Sequence, residues 1–199
     1  MAGKVAAEPG PKAALRRQII AARDALPPAA RRELSAAITS QLLALEAYRH
    51  ANCVLAYMSF GSEFDTAVLV ENALAAGKAL CLPRVDRAAR RLELHRVVDI
   101  ARDLESGLWG IREPRVSCSP AELPLIDFVL LPGVAFTPRC ERLGYGGGFY
   151  DRLIPRFANR PPLVAAAFAM QICATVPLDA NDQCADVVIT ENSLYGNYG

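Results

Sequence analysis

The chain of 199 residues predicts an α/β fold: a three-layer sandwich with a central, mainly parallel sheet flanked by helices. Three observations lead there. Segments of helical period alternate with strand-like segments. Several strand segments, such as Ile126-Asp-Phe-Val-Leu-Leu131 and Leu163-Val-Ala-Ala-Ala-Phe168, are continuous apolar runs, as expected of strands covered on both faces. Hydrophobic residues make up 52% of the chain and charged residues 22%, a composition that supports a core and excludes general disorder.

Pro11 can open a first helix that runs to Leu26, with Leu15, Ile19, Ala22 and Leu26 as its apolar stripe. Pro27 and Pro28 stop it. A second helix is expected from Ala29 to Tyr48, with Leu34, Ile38, Leu42 and Leu45 on one face. Cys53 to Met58 reads as a buried strand. Thr66 is expected to N-cap a helix that reaches Ala76, with Gly77 as its stop. Ala79 to Leu82 is a strand ending at Pro83, and Arg91 to Val98 is an edge strand. Asp99 to Pro124 reads as irregular. Ile126 to Leu131 is the clearest strand. A glycine-rich loop follows, then a helix to about Ala158 and strands at Leu163–Phe168 and Asp186–Thr190. Residues 1–10 are expected to form a short flexible tail, and residues 11–199 a single catalytic domain.

The net charge of +1 lacks the basic excess of a general nucleic-acid or membrane-surface binder. No apolar run approaches the ~20 residues that span a bilayer. The six cysteines include no pair at zinc or thioredoxin-type spacing, and Cys53 and Cys81 read as small buried hydrophobes. This usage suits a reducing cytoplasm, where the chain is expected to act as a monomer. With only His50 and His95 present, a zinc cluster or a histidine triad is not expected.

The chemistry concentrates in Arg142-Leu-Gly-Tyr-Gly-Gly-Gly-Phe-Tyr-Asp151, which follows the clearest strand. Ligands of open α/β sheets bind beyond the carboxyl ends of strands. Gly144, Gly146, Gly147 and Gly148 let backbone N–H groups approach a phosphate closely. A helix starting near Phe149 would add a field favouring an anion. Arg142 and Arg152 could hold phosphate oxygens. The loop lacks the Gly-Lys-Ser/Thr of a Walker motif and the spacing of a Rossmann fingerprint. Taken alone, it supports a phosphate site and no more.

Leu131-Pro-Gly-Val-Ala-Phe136 followed by Arg142 to Arg152 resembles the signature of the 5-formyltetrahydrofolate cyclo-ligase family. The resemblance also covers Lys12-Ala-Ala-Leu-Arg16, Ser59 to Thr66 around Glu63, and Trp109-Gly-Ile-Arg-Glu-Pro114. It continues through Phe168-Ala-Met-Gln171, Val176-Pro177, Asp182 and Ile189-Thr190-Glu191, in matching order. It implies an α/β sandwich and an enzyme acting on ATP and 5-formyltetrahydrofolate with Mg²⁺.

The resemblance also implies residue roles. Lys12 and Arg16, four apart on one helix face, would bind ATP phosphates with Arg142, Gly144, Tyr145, Gly146, Gly147, Gly148, Phe149 and Tyr150. Lys12, Arg16, Arg142 and Tyr150 would be catalytic. Met58, Glu63, Trp109 and Tyr150 would contact the folate, and Asp151 and Asp182 would hold magnesium. On sequence grounds alone Asp179 and Asp186 rival Asp182. Arg17, Arg23, Arg31 and Arg32 have no such support and are expected to be solvated. Thr137, Cys140 and Phe149 stand where the family often has Asp, Gly and Tyr.

Overall fold

The computed structural model describes residues 10–107 and 110–196. Three helices open the chain: α1 Pro11–Asp24, α2 Pro28–Ala44 and α3 Glu46–His50. Strand β1 Cys53–Leu55, helix α4 Ala67–Ala75 and the hairpin β2 Ala79–Asp86 and β3 Arg91–Val97 follow. The middle of the chain holds α5 Ile100–Asp103, β4 Leu104–Ser106 and β5 Arg112–Pro114. Then come β6 Phe128–Leu131, the hairpin β7 Ala135–Phe136 and β8 Arg142–Leu143, and α6 Phe149–Leu153. The chain closes with β9 Leu163–Ala166, β10 Val187–Ile189 and β11 Leu194–Gly196.

The main sheet has seven strands in the order β11-β10-β9-β6-β1-β2-β3. Its five inner strands are parallel, and only the edge strands β11 and β3 run antiparallel. The chain leaves β1 toward β2 and later returns to β6 on the other side of β1. The order therefore reverses between β1 and β6, the position where open α/β sheets bind ligands.

Both sheet faces are buried, which explains the continuous apolar runs. Val54, Phe128, Leu130 and Val164 pack on one face with Ile38, Leu42, Tyr48 and Leu69 from α2, α3 and α4. The alternating residues Leu55, Val129, Leu131 and Leu163 face the other way, against Phe136, Leu153, Ile154 and Phe157. A third cluster joins α1 to the β7–β8 hairpin through Ile19, Val134, Ala135 and Leu143.

Several elements depart from expectation. The second helix breaks at Leu45, whose backbone is extended (φ −60°, ψ 131°), and restarts as α3. Strand β2 continues through Pro83 to Asp86. Its neighbour β1 pairs with it only as far as Cys81, so Pro83 removes no donor from a continuing inner ladder. The segment read as irregular contains α5 and the β4–β5 ladder. The helix after the glycine loop has five residues before a 3-10 turn containing Pro155 takes over. A proline disfavours α geometry at the preceding residue and donates no N–H.

The far edge supplies a stability prediction. Gly196 has φ +95°, and a Cβ there would lie 2.1 Å from the Asp186 carbonyl oxygen. Gly196→Ala is expected to lose about 1–3 kcal/mol, a drop in Tm of about 3–10 °C by thermal unfolding. A variant melting with the wild type would refute this.

Candidate functional site

Past β1, the chain turns through Ser59 to Thr66. The Ser59 N–H donates to Thr66 Oγ1 (3.0 Å) and the Thr66 N–H donates to Ser59 Oγ (3.3 Å), closing the loop on itself. Thr66 stands at the expected N-cap position of α4, but its side chain makes no capping bond to the helix. Asp65 Oδ1 accepts from the Ala67 N–H instead (3.0 Å). The closed loop aims Glu63 inward, where its Oε2 accepts from the Phe60 N–H (2.9 Å).

Past β6, the β7–β8 hairpin carries the glycine loop. Gly146 (φ +99°) and Gly148 (φ +62°) occupy left-handed backbone that other residues rarely adopt. Arg16 Nε donates to the Gly144 carbonyl (2.7 Å). Its guanidinium also covers Gly146, where an added Cβ would lie 3.3 Å from Arg16 Cζ. With only five residues, α6 supplies a small part of the anion field expected from a helix start. Loop N–H groups and the α1 cations remain as the main attraction for an anion. Arg152 is engaged by backbone oxygens of Gly147 (2.7 Å) and Arg90 (2.8 Å).

Between these loops, at the switch point, lies a cavity of about 550 Å³, within the usual range for small-molecule sites. Tyr57, Met58, Phe60 and Glu63 form one side, and Pro132, Arg142, Gly144, Tyr145 and Gly147 to Asp151 the other. Pro83, Val85 and Leu92 of the β2–β3 hairpin and Ile111, Arg112 and Glu113 around β5 complete it. Most of the wall is apolar, so its few polar groups have strong effects. Glu63 is 8% exposed. Burial pushes its carboxyl above the usual range, opposed by the Tyr145 hydroxyl, by a hydrogen bond from the Phe60 N–H and by the charge of Arg23. The Tyr150 hydroxyl is buried with no hydrogen-bond partner among the described residues. Burial and the Glu63 charge hold the Tyr150 phenol protonated well above its ordinary range.

The sequence-predicted residues thus fall into groups. Met58, Glu63, Arg142, Gly144, Tyr145, Gly147, Gly148, Phe149, Tyr150 and Asp151 line one cavity. Arg16 and Gly146 meet on the outer side of the glycine loop. Lys12 lies farther out, paired with Asp182 and with Asp179 (2.7 Å). Trp109 lies outside the described residues, although Ile111 to Glu113, just beyond it, line the cavity. Asp186 pairs with Arg160 (2.7 Å) and accepts from the Leu163 N–H (2.8 Å), an edge brace.

Arg142, expected to face phosphate, is 3% exposed in its side chain and paired with Asp151. It also donates to the carbonyls of Pro132 (3.1 Å) and Gln183 (3.0 Å). Arg23, expected to be solvated, is buried. Its position four residues after Ile19 puts it on the core side of α1, a signal available from helical spacing. Tyr57 and Phe60 are cavity residues given no role from the sequence: Tyr57 follows a buried strand without a motif of its own, and Phe60 lies in the Ser59–Thr66 segment, where Glu63 draws the attention.

Apolar walls around a carboxylate on one side, and a glycine-rich cradle with cations on the other, suit two chemically unlike substrates. Fold and site define an α/β protein with an apolar cavity at the switch point of its sheet, bordered by a glycine-rich loop. The 5-formyltetrahydrofolate cyclo-ligase family model matches residues 9–191, and the chain belongs to that family. A probable 5-formyltetrahydrofolate cyclo-ligase of Caenorhabditis elegans is 30% identical over 165 residues, covering 78% of this chain and 80% of the relative. The 5-formyltetrahydrofolate cyclo-ligase of Escherichia coli K12 is 28% identical over 176 residues, covering 87% and 96%. The solved structure of Aquifex aeolicus 5,10-methenyltetrahydrofolate synthetase superposes with a TM-score of 0.82 at 33% identity, covering 93% of this chain and 92% of that one.

Proposed function

We propose that the chain performs its family's reaction, the ATP- and Mg²⁺-dependent conversion of 5-formyltetrahydrofolate to 5,10-methenyltetrahydrofolate with release of ADP and phosphate. The observation that carries this reading is the meeting of the two half-sites at Tyr150 and Asp151. The cavity beside Glu63, Met58 and Tyr150 takes the pterin, with Trp109 assigned to the same substrate. The carboxylate accepts hydrogen bonds from the ring's N–H groups. The loop from Gly144 to Phe149, with Lys12 and Arg16, takes the triphosphate.

An N-formyl group is an amide, so its carbon is a weak electrophile and its oxygen a poor leaving group. Transfer of the ATP γ-phosphoryl group to the formyl oxygen makes that oxygen a leaving group. N10 then attacks the formyl carbon, the ring closes, and phosphate departs with the former formyl oxygen. The protein's contribution is positioning and charge stabilisation, which need no nucleophilic side chain.

The donor set fits magnesium. Both hydrogen bonds to Asp151 fall on Oδ1, and the contacts to Asp182 fall on Oδ2. The second oxygen of each carboxylate is left for a hard cation. No group of three His, Cys, Asp or Glu that could hold a metal ion occurs among the described residues, so phosphate oxygens and water would have to complete the shell. Bound there, the ion would neutralise phosphate charge during transfer.

We further assign residues 11–199 as one catalytic domain acting as a cytoplasmic monomer. No helix among the described residues is long and apolar enough to cross a membrane. Size-exclusion chromatography with light scattering checks the monomer.

Purified protein with 5-formyltetrahydrofolate, ATP and Mg²⁺ should generate the ultraviolet absorbance of methenyltetrahydrofolate, and omission of ATP should abolish it. A folate-binding sensor would give no product, and a phosphosugar isomerase would ignore both substrates. Glu63→Gln is expected to raise KM for 5-formyltetrahydrofolate at least about tenfold, the loss of a charged hydrogen bond, while KM for ATP stays within about twofold. An unchanged folate KM would remove Glu63 from the site.

A further inference from the structure

Arg23 has no role among the site residues expected from the sequence, yet it is only 2% exposed at the C-terminal end of α1. Its Nε donates to Ser62 Oγ (3.0 Å) and its Nη2 donates to the Tyr145 hydroxyl (2.9 Å). Ser62 in turn donates to Asp24. The Tyr145 hydroxyl neighbours the Glu63 carboxylate, favours its ionised form, and lines the same cavity. A buried cation thus reaches a buried carboxylate through a phenol.

We propose that Arg23 is a positioning residue for folate binding: through the Tyr145 hydroxyl it fixes Glu63 in the cavity and supplies the positive charge that offsets burial of the carboxylate. This rests on the assignment of Glu63 to the pterin. The indirect arrangement has a chemical reason. A direct bidentate Arg–Glu pair would engage both carboxylate oxygens and turn them toward the guanidinium plane rather than the cavity. Interposing Tyr145 leaves Glu63 with acceptor capacity for the substrate's N–H groups while keeping a cation close by.

The same helix ties the two half-sites together. Arg16 and Arg23 are seven residues apart, about two helical turns, and so share a face. Arg16 holds the glycine loop at Gly144 (2.7 Å) and Arg23 holds it at Tyr145 (2.9 Å). The Tyr145 and Phe60 rings also touch, with centroids 5.3 Å apart. A shift of the loop therefore moves the hydroxyl that Glu63 depends on.

The groups around Glu63 set the expected pH behaviour. Arg23 on α1 favours its ionised form, while Tyr57, Tyr145 and Tyr150 surround it from other segments. Arg112, Glu113, Arg142 and Asp151 line the same cavity. Burial already raises the Glu63 carboxyl, so removing Arg23 raises it further. Binding that requires the anion is lost as pH falls through that value, so the acid limb moves up.

The test compares Arg23→Met, Arg23→Lys and Tyr145→Phe with wild type in the full chain. Arg23→Met should raise KM for 5-formyltetrahydrofolate about tenfold and KM for ATP by distinctly less, since Arg16 still holds the loop at Gly144. It should also move the acid limb of kcat/KM for folate upward by about one pH unit, the equivalent of a tenfold change. Arg23→Lys should recover most of this, and Tyr145→Phe should shift the limb the same way. A folded Arg23→Met with wild-type folate KM and acid limb overturns the proposal, as does an equal rise in both KM values. Should Arg23→Met fail to fold, an unmoved limb in Tyr145→Phe overturns it. Carboxyl ¹³C NMR titration of Glu63, assigned with Glu63→Gln, gives a readout without substrate. An upward shift in Tyr145→Phe or Arg23→Met supports the link, and no shift refutes it. Absence of methenyl product from wild type would instead refute the proposed reaction.

Discussion

Lys12→Ala is expected to reduce kcat/KM for ATP by about 10²–10³-fold, the cost of removing one charge-stabilising donor from a phosphoryl-transfer site. The structure makes the mutation a clean one. Lys12 lies in the first turn of α1 with a side chain 20% exposed, paired to Asp182 and Asp179. Burial lowers the pKa of its ammonium, but the two carboxylates outweigh burial and raise it. Asp182 shows the complementary result: burial raises its carboxyl, and Lys12 with the Asp179 N–H brings it below the usual range. Both groups are therefore charged near neutral pH. Partly exposed pairs of this kind contribute about 0–1 kcal/mol to stability, so Tm should barely move.

The pairing also indicates what ATP must do. Lys12 faces two carboxylates. Triphosphate oxygens would compete with Asp179 and Asp182 for it. Lys12→Arg should retain part of the activity, because it keeps the charge but changes its geometry. Full turnover by Lys12→Ala would exclude the residue from the ATP site.

How much of this is legible in the sequence depends on the range of the forces involved. The parallel core is, because apolar runs such as Phe128–Leu131 reflect burial on both faces wherever the strand lies in the sheet. The place of the cavity is also legible, since a glycine-rich loop beyond such a strand falls where open α/β sheets bind ligands, and Gly144, Gly147 and Gly148 line that cavity. Boundaries are less so: Pro83 looks like a strand end until the early finish of β1 is known. The short α6 is foreshadowed by Pro155. Arg23 is harder, because one arginine among five on two helices gains its meaning from Tyr145, 122 residues away. Arg142 shows the converse. A cation flanking a phosphate loop suggests a ligand contact, yet its side chain is committed to protein oxygens.

That commitment makes Arg142→Met the substitution with the largest expected effect on stability. Methionine fills much of the volume but satisfies none of the oxygens. Asp151 loses its ion-pair partner and keeps the Gln183 N–H, and the Pro132 and Gln183 carbonyls, previously reached at 3.1 and 3.0 Å, lose their donors. Breaking a buried ion pair from one side typically costs about 3–5 kcal/mol, or about 8–15 °C in Tm for a chain of this size. The loss should fall on the glycine loop, since Arg142 connects the end of β6, the loop and the segment carrying Gln183. Asp151→Asn should cost less, because its amide oxygen can still accept from Arg142. Thermal unfolding separates two roles for this arginine. A large Tm drop identifies a brace that holds the loop in shape for ATP. A wild-type Tm with an ATP KM raised tenfold or more would identify a direct phosphate ligand, and would mean that Arg142 leaves Asp151 when nucleotide arrives.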